Sequence, residues 1–141
     1  MLEQIFFKEQ LLAIIVRSNF HDEGITFFTP PSFSQQLAYM HHPEKKVIDP
    51  HVHNPVLREV HYTQEVLFIR KGRLRVDFYN DGRVYLESRE LGAGDVILLA
   101  TGGHGFEVLE EIEMIEVKQG PYAGDADKTR FAGIDASKKE I

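Results

Sequence analysis

The alternation over residues 73–79 constrains the fold of this chain more than any other feature. Leu74, Val76 and Phe78 alternate with Arg73, Arg75, Asp77 and Tyr79, the period of a strand with one face on a core and the other toward solvent. Asn80-Asp81-Gly82-Arg83 follows, a hairpin turn because Asp-Gly tolerates positive φ. Residues 84–89 then form the return strand.

The other segments read the same way. Residues 1–20 are ambiguous, because Ile5, Phe6, Phe7, Leu11, Leu12, Ile14 and Ile15 suit either a short helix or a strand. Asp22-Glu23-Gly24 is a turn before a strand at 25–29, which Pro30 and Pro31 close because neither can donate to a ladder. Further strands are expected at 36–40, 47–53, 62–69, 96–100, 104–109 and 112–119. Pro55 marks a loop at 54–59, Gly72 breaks the strand before it, and Leu91 to Asp95 is a tight turn. Strand 62–69 is apolar on both faces, which places it between two layers or in a dimer interface. Eight to ten short strands with little helix predict an antiparallel sandwich or barrel. Such folds remove exposed edges by closing into a jelly roll. One domain is expected: an N-terminal extension with the first strands (1–46), a barrel core (47–122) and a polar tail (123–141) that frays at Ser137-Lys138-Lys139-Glu140-Ile141.

Composition narrows the chemistry. At 141 residues and 43% hydrophobic, the chain can bury a core. Its net charge of −6 argues against nucleic acid or an anionic membrane as the main partner. With no cysteine, disulfides and thiolate sites are excluded, and His, Asp and Glu are the strong metal ligands that remain. The apolar run from Leu11 to Val16 is too short to span a bilayer and lacks the flanks of a signal peptide. A cytoplasmic protein is expected. There is no Gly-rich phosphate loop and no Gly-x-Ser-x-Gly elbow.

Seven histidines are present. His51 and His53 are two apart, so on a strand both leave one face. With a carboxylate from a neighbouring strand they would suit a divalent metal such as Zn, Fe, Mn or Ni. Glu65, set among Val66, Leu67 and Phe68, would be costly if buried without a partner. His104 follows a Gly-Gly turn. His41 and His42 could also bind a metal, although a surface pair beside a turn is ordinarily solvated.

A His-x-His, then a Glu and a Gly, and later a Gly-rich turn leading to a His resemble the two motifs of the cupins. Strict cupin spacing would select Glu59 and His61 as the first two ligands, and spacing alone leaves that alternative open. Pro50-His51-Val52-His53, Glu65, Gly72, Phe78, Asp81-Gly82, Gly103-His104 and residues 116–122 (EVKQGPY) together resemble the WbuC family of cupin-fold metalloproteins. This resemblance spans roughly residues 47–125. It implies a single-domain, all-β jelly-roll barrel with His51, His53, Glu65 and His104 as metal ligands. It further implies a metal-dependent enzyme acting on a small polar metabolite in sugar-nucleotide or cell-surface polysaccharide metabolism, isomerase-like, epimerase-like or dioxygenase-like. Lys118 and Glu116 are then the candidate acid–base groups. A non-catalytic small-molecule binder with a structural or ligand-anchoring metal is the alternative, and a homodimer is expected in either case.

Overall fold

The computed structural model describes residues 1–134. Its elements are β1 (Leu2–Phe7), β2 (Gln10–Val16), β3 (Gly24–Phe27), β4 (Ala38–His41), β5 (Glu65–Tyr79), β6 (Tyr85–Gly92), β7 (Val96–Leu99) and β8 (Gly103–Lys118), followed by a single 3₁₀ turn at Gly124–Asp127. The fold is nearly all-β. The expected C-terminal segment 137–141 lies outside the described residues. Among the described residues no helix is long and apolar enough to cross a membrane.

One sheet dominates, in the order β1-β2-β7-β5-β6, with β8 along the other side of β5. β5 and β8 run antiparallel from Glu65↔Lys118 to Tyr79↔Gly103. On its opposite side the first part of β5 pairs with β7 and the last part with β6. Gly72 was expected to end a strand, and residues 104–109 and 112–119 to form two. Instead β5 and β8 are each continuous and absorb the irregularity as register shifts between Ile69 and Leu74.

Those shifts curl the sheet. Leu67 and Ile69 (odd positions) and Leu74, Val76 and Phe78 (even positions) all enter one core, with Ile5, Leu12, Ala13, Ile15, Leu91, Ile97 and Leu99. An uninterrupted strand would send odd and even residues to opposite faces. The bulged stretch around Gly72 changes the parity and folds the ribbon over, so its two halves face each other across the core. The result is a strongly curled half-barrel.

The ambiguous N-terminal run now has a physical explanation. Leu12, Ala13, Ile14 and Ile15 are all at most 1% exposed, because β2 is covered on both faces. One face meets the main core. The other meets a second core of Ile14, Val16, Phe28, Leu98 and Ala100, packed by Phe20, Phe33, Leu37, Tyr39 and Val66. A strand buried on both faces shows no alternation. The β3–β4 ribbon contributes Tyr39 to this second layer. The double-sided apolar character of 62–69 has the same origin at Val66, whereas Phe68 stays 41% exposed.

Arg17 fastens the start of the chain to the β6–β7 turn. Its guanidinium binds the Glu3 carboxylate, the Glu90 carbonyl at 2.6 Å and Asp95 Oδ2 at 3.1 Å. Asp95 in turn accepts from the Ser18 and Gly92 amides, each at 2.8 Å. The Arg17 hydrogen bond, against the opposing effect of burial, holds the Glu3 carboxyl below its ordinary value, helped by the charges of Arg17 and Arg89. A depressed carboxylate stabilises the fold above its unfolded pKa, near about 4.3, and that stabilisation is lost as pH falls through the lower folded value. Glu3→Gln should therefore lower the urea midpoint at neutral pH and flatten its fall below about pH 5. An unchanged acid limb would remove Glu3 from this account.

Candidate functional site

Glu65 opens β5, in register with Leu99 of β7 on one side and Lys118 of β8 on the other. It shares its face with Leu67 and Ile69, so its carboxylate sits at the end of the concave, core-facing side. His104 pairs with Phe78, at the far end of β5. Phe78 lies thirteen positions beyond Glu65, about 43 Å of straight strand. Yet His104 Nε2 lies 3.4 Å from Glu65 Oε2. The curl of the ribbon brings them together.

Three further groups extend the cluster. Lys118 Nζ lies 3.6 Å from Glu65 Oε1 and 3.3 Å from Asp127 Oδ2. Asp127 comes from the 3₁₀ turn, and Thr63 donates its hydroxyl to it. Glu65 is 13% exposed at its side chain, and His104 and Lys118 are 29% exposed, so the cluster is screened but reachable. Glu65, His104 and Asp127 line a cleft of ≈ 800 Å³ whose walls also include His61, Asp77, Tyr79, Phe106, Arg130 and Phe131, whereas Lys118 lines a smaller pocket of ≈ 180 Å³ that shares Asp127 with it. Phe131 packs edge-on against Tyr79, with ring centroids 5.0 Å apart, and the Ile134 amide donates to the Tyr79 hydroxyl at 3.1 Å.

Contact with His104 draws the Glu65 carboxyl down despite partial burial, with the His104 and Lys118 charges adding to it. The Thr63 hydroxyl and then Lys118 lower Asp127. Asp127 raises Lys118 above its ordinary range, with burial opposing and Glu65 assisting. At neutral pH both carboxylates are ionised and Lys118 is protonated. Lys118 can thus hold an anion or give a proton, but it is poorly suited to take one.

The Glu65–His104 pair fits a single cation. Two ligands on a tetrahedral ion, each bonded at about 2.1 Å, stand about 3.4 Å apart, the separation found here. Lys118 lies 3.6 Å from the other Glu65 oxygen, so Oε2 is the one directed at His104. Among the described residues no third His, Asp or Glu donor completes a mutual 4.8 Å cluster with this pair.

His51 and His53 are placed elsewhere. The expected strand at 47–53 does not form: residues 42–64 contain no strand, and both histidines are exposed. Pro50 and Pro55 explain this, since each lacks an amide donor and fixes its φ. The two rings stand edge-on with centroids 5.2 Å apart, His51 Nδ1 contacts the Asp49 carbonyl at 2.9 Å, and neither residue lines the cleft. His61 does line it, and its Nε2 lies 4.0 Å from the exposed Glu59. Glu116 is exposed on β8, in register with Leu67.

Sequence reasoning missed Thr63, Asp127 and Phe131, which come from a pre-strand loop and from the segment read as a polar tail. It also set Arg75 and Asp77 on a solvent face. They are 6% and 2% exposed, and Asp77 forms part of the cleft wall. Alternation identified the strand but not what covers its second face.

No family model matches the chain, and no curated protein or solved structure matches it.

Proposed function

We propose that this protein is a cupin-like, jelly-roll metalloprotein whose open end binds a small polar metabolite beside one divalent transition metal. The observation that carries this reading is the 3.4 Å approach of Glu65 Oε2 and His104 Nε2, two expected ligands from opposite ends of the curled ribbon. Glu65 and His104 hold the ion. A third donor would come from the segment before Thr63: His61, which lines the cleft, or His51 or His53, which lie outside it in this structure.

The ion would act as a Lewis acid, polarising a carbonyl or hydroxyl of the metabolite. Lys118 lies on the other side of Glu65, charged and held by Asp127. From the smaller pocket that shares Asp127 with the cleft, it would orient an anionic substrate group that reaches past Asp127, or donate a proton to a developing oxyanion. Phe106 and Phe131 offer apolar ring surface, Lys128 and Arg130 offer positive charge, and ≈ 800 Å³ admits a ligand of sugar-nucleotide size. The chemistry is isomerisation or epimerisation of such a substrate. The protonated state of Lys118 also suits a binder without turnover. Lys118→Ala separates the two, costing turnover in an enzyme and affinity alone in a binder.

The deciding measurement is metal content and Zn²⁺ affinity for wild type, Glu65→Gln, His104→Ala, His53→Ala and His61→Ala. Glu65→Gln and His104→Ala should each weaken binding at the cleft by about tenfold or more. Loss in His61→Ala or in His53→Ala identifies the third donor. Undiminished affinity in both Glu65→Gln and His104→Ala would end the proposal.

A further inference from the structure

A second donor cluster lies away from the cleft, at the end of the β3–β4 ribbon. His41 closes β4 in register with Gly24, the first residue of β3. It shares a face with Tyr39, whose ring packs edge-on to Phe20 at 5.1 Å. This face therefore ends in the second core, and His41 continues it outward. Gly24, at φ +77°, turns the chain into β3, immediately after His21, Asp22 and Glu23.

The carboxylate of Glu23 lies against both imidazoles. His41 Nδ1 is 3.3 Å and His21 Nε2 is 3.5 Å from the same oxygen, Glu23 Oε1. One donor atom from each of the three residues falls within 4.8 Å of the others. The two rings are 4.8 Å apart and tilted by 56°. Asp22 takes no part in the cluster but fixes the loop. Its Oδ1 accepts from the Glu23 amide and its Oδ2 from the Thr26 hydroxyl, each at 2.9 Å. Both oxygens are thereby engaged, and the backbone that carries His21 and Glu23 is held in place.

His41 Nδ1 supplies an independent observation. The atom itself is shielded from solvent and makes no hydrogen bond, although the His41 side chain is 39% exposed and the Glu23 oxygen stands 3.3 Å away. A shielded ring nitrogen set against a carboxylate oxygen without a hydrogen bond to it calls for an explanation. An ion seated between His21, Glu23 and His41 would satisfy it. His42 Nε2 is also buried without a hydrogen bond, but it lies outside the cluster.

We infer that His21, Glu23 and His41 form a second divalent metal site, independent of the Glu65–His104 pair. Two imidazoles and one carboxylate select a borderline transition ion such as Zn²⁺, Co²⁺ or Ni²⁺ over Ca²⁺ or Mg²⁺, which prefer oxygen ligands. The His21 and Glu23 side chains are 65% and 77% exposed, so water completes the coordination. The site clips the loop before β3 to the end of β4. It thereby pins the ribbon that covers the second core, at the point where the chain enters the irregular segment 42–64.

The test is titration with stoichiometric Co²⁺ alone, read by its visible absorption, in wild type, His104→Ala, His41→Ala, His21→Ala and Glu23→Gln. Amide hydrogen exchange of residues 24–41 is followed in parallel. His104→Ala, which lacks the cleft pair, should keep one equivalent of bound Co²⁺. His41→Ala and His21→Ala in that background should bind about tenfold or more weakly, and Glu23→Gln should also bind less tightly. Co²⁺ should slow exchange in the ribbon of wild type and not of His41→Ala. Equal Co²⁺ binding in His104→Ala with and without His41→Ala would overturn the inference. A single equivalent lost with His41 and kept without His104 would uphold it while removing the cleft metal.

Discussion

Gly72→Ala should destabilise the protein by at least about 3 kcal/mol, a large share of a typical folding free energy of about 5–15 kcal/mol. Two costs act at this position. Its φ of +90° is one that side-chain-bearing residues rarely adopt. A Cβ there would also stand 2.0 Å from the Glu111 carbonyl oxygen and 2.9 Å from that of Glu110. Both obstacles are backbone atoms of the paired strand, so no rotamer change relieves the overlap. The ribbon can admit a side chain only by opening the β5–β8 ladder at the bulge that curls the sheet. Gly92→Ala is the control, since a Cβ there meets nothing within 4 Å. It should change stability by no more than about 0.5 kcal/mol. Urea midpoints for the two variants measure both. A Gly72→Ala midpoint equal to that of wild type would mean that the bend does not depend on this residue. If the bend fails, the approach of His104 to Glu65 should fail with it, and cleft metal binding should fall in whatever fraction remains folded.

This bend also shows why the fold was only partly legible in the sequence. The strand through 74–79 and its return, read at 84–89 and observed at Tyr85–Gly92, were visible because Leu74, Val76 and Phe78 keep period two and Gly82 sits in a turn. Even there the positive φ falls on Arg83, at 66°, and not on the Asp-Gly pair. The Asn80 side chain, accepting from the Val84 amide at 3.0 Å, closes that turn. Gly72 was read as the end of a strand and instead lies in a bulge within continuous β5; the two look alike in sequence, because both call for a residue free of Cβ. The residues at 11–16 carried no period because they are buried on both faces. For the site, Glu65 and His104 stood out as polar residues within apolar or glycine-rich surroundings, and the curl unites them. The His51–His53 alternation had the period of a strand, yet the flanking prolines deny it a ladder. Asp127 and Thr63 had no local signal at all, since their roles depend only on where a loop and a tail pack.

Asp77→Ala should be the other large effect, costing about 3–5 kcal/mol. Asp77 Oδ1 accepts from Arg75 Nε at 3.1 Å and from the Ser88 hydroxyl at 2.6 Å. Ser88 is itself fully buried and within 2.8 Å of the Tyr85 hydroxyl. Removing the carboxylate leaves the Arg75 guanidinium buried, with the half-exposed Glu107 as its remaining carboxylate partner. Removing both charges is different, because a buried ion pair recovers little beyond its own desolvation cost. The double variant Arg75→Met with Asp77→Leu should therefore be markedly more stable than Asp77→Ala alone. Asp77→Asn should fall between wild type and Asp77→Ala, since its amide keeps an acceptor for Ser88. Urea unfolding of these variants reads the coupling directly. Asp77 also forms part of the cleft wall, which gives the series a second use. A double variant that regains stability but not ligand affinity would make Asp77 a substrate-contacting group. One that regains both would make the pair purely structural. A double variant no more stable than Asp77→Ala would mean that the network is held by more than charge pairing, through the packing of Arg75 and Ser88 between β5, β6 and β8.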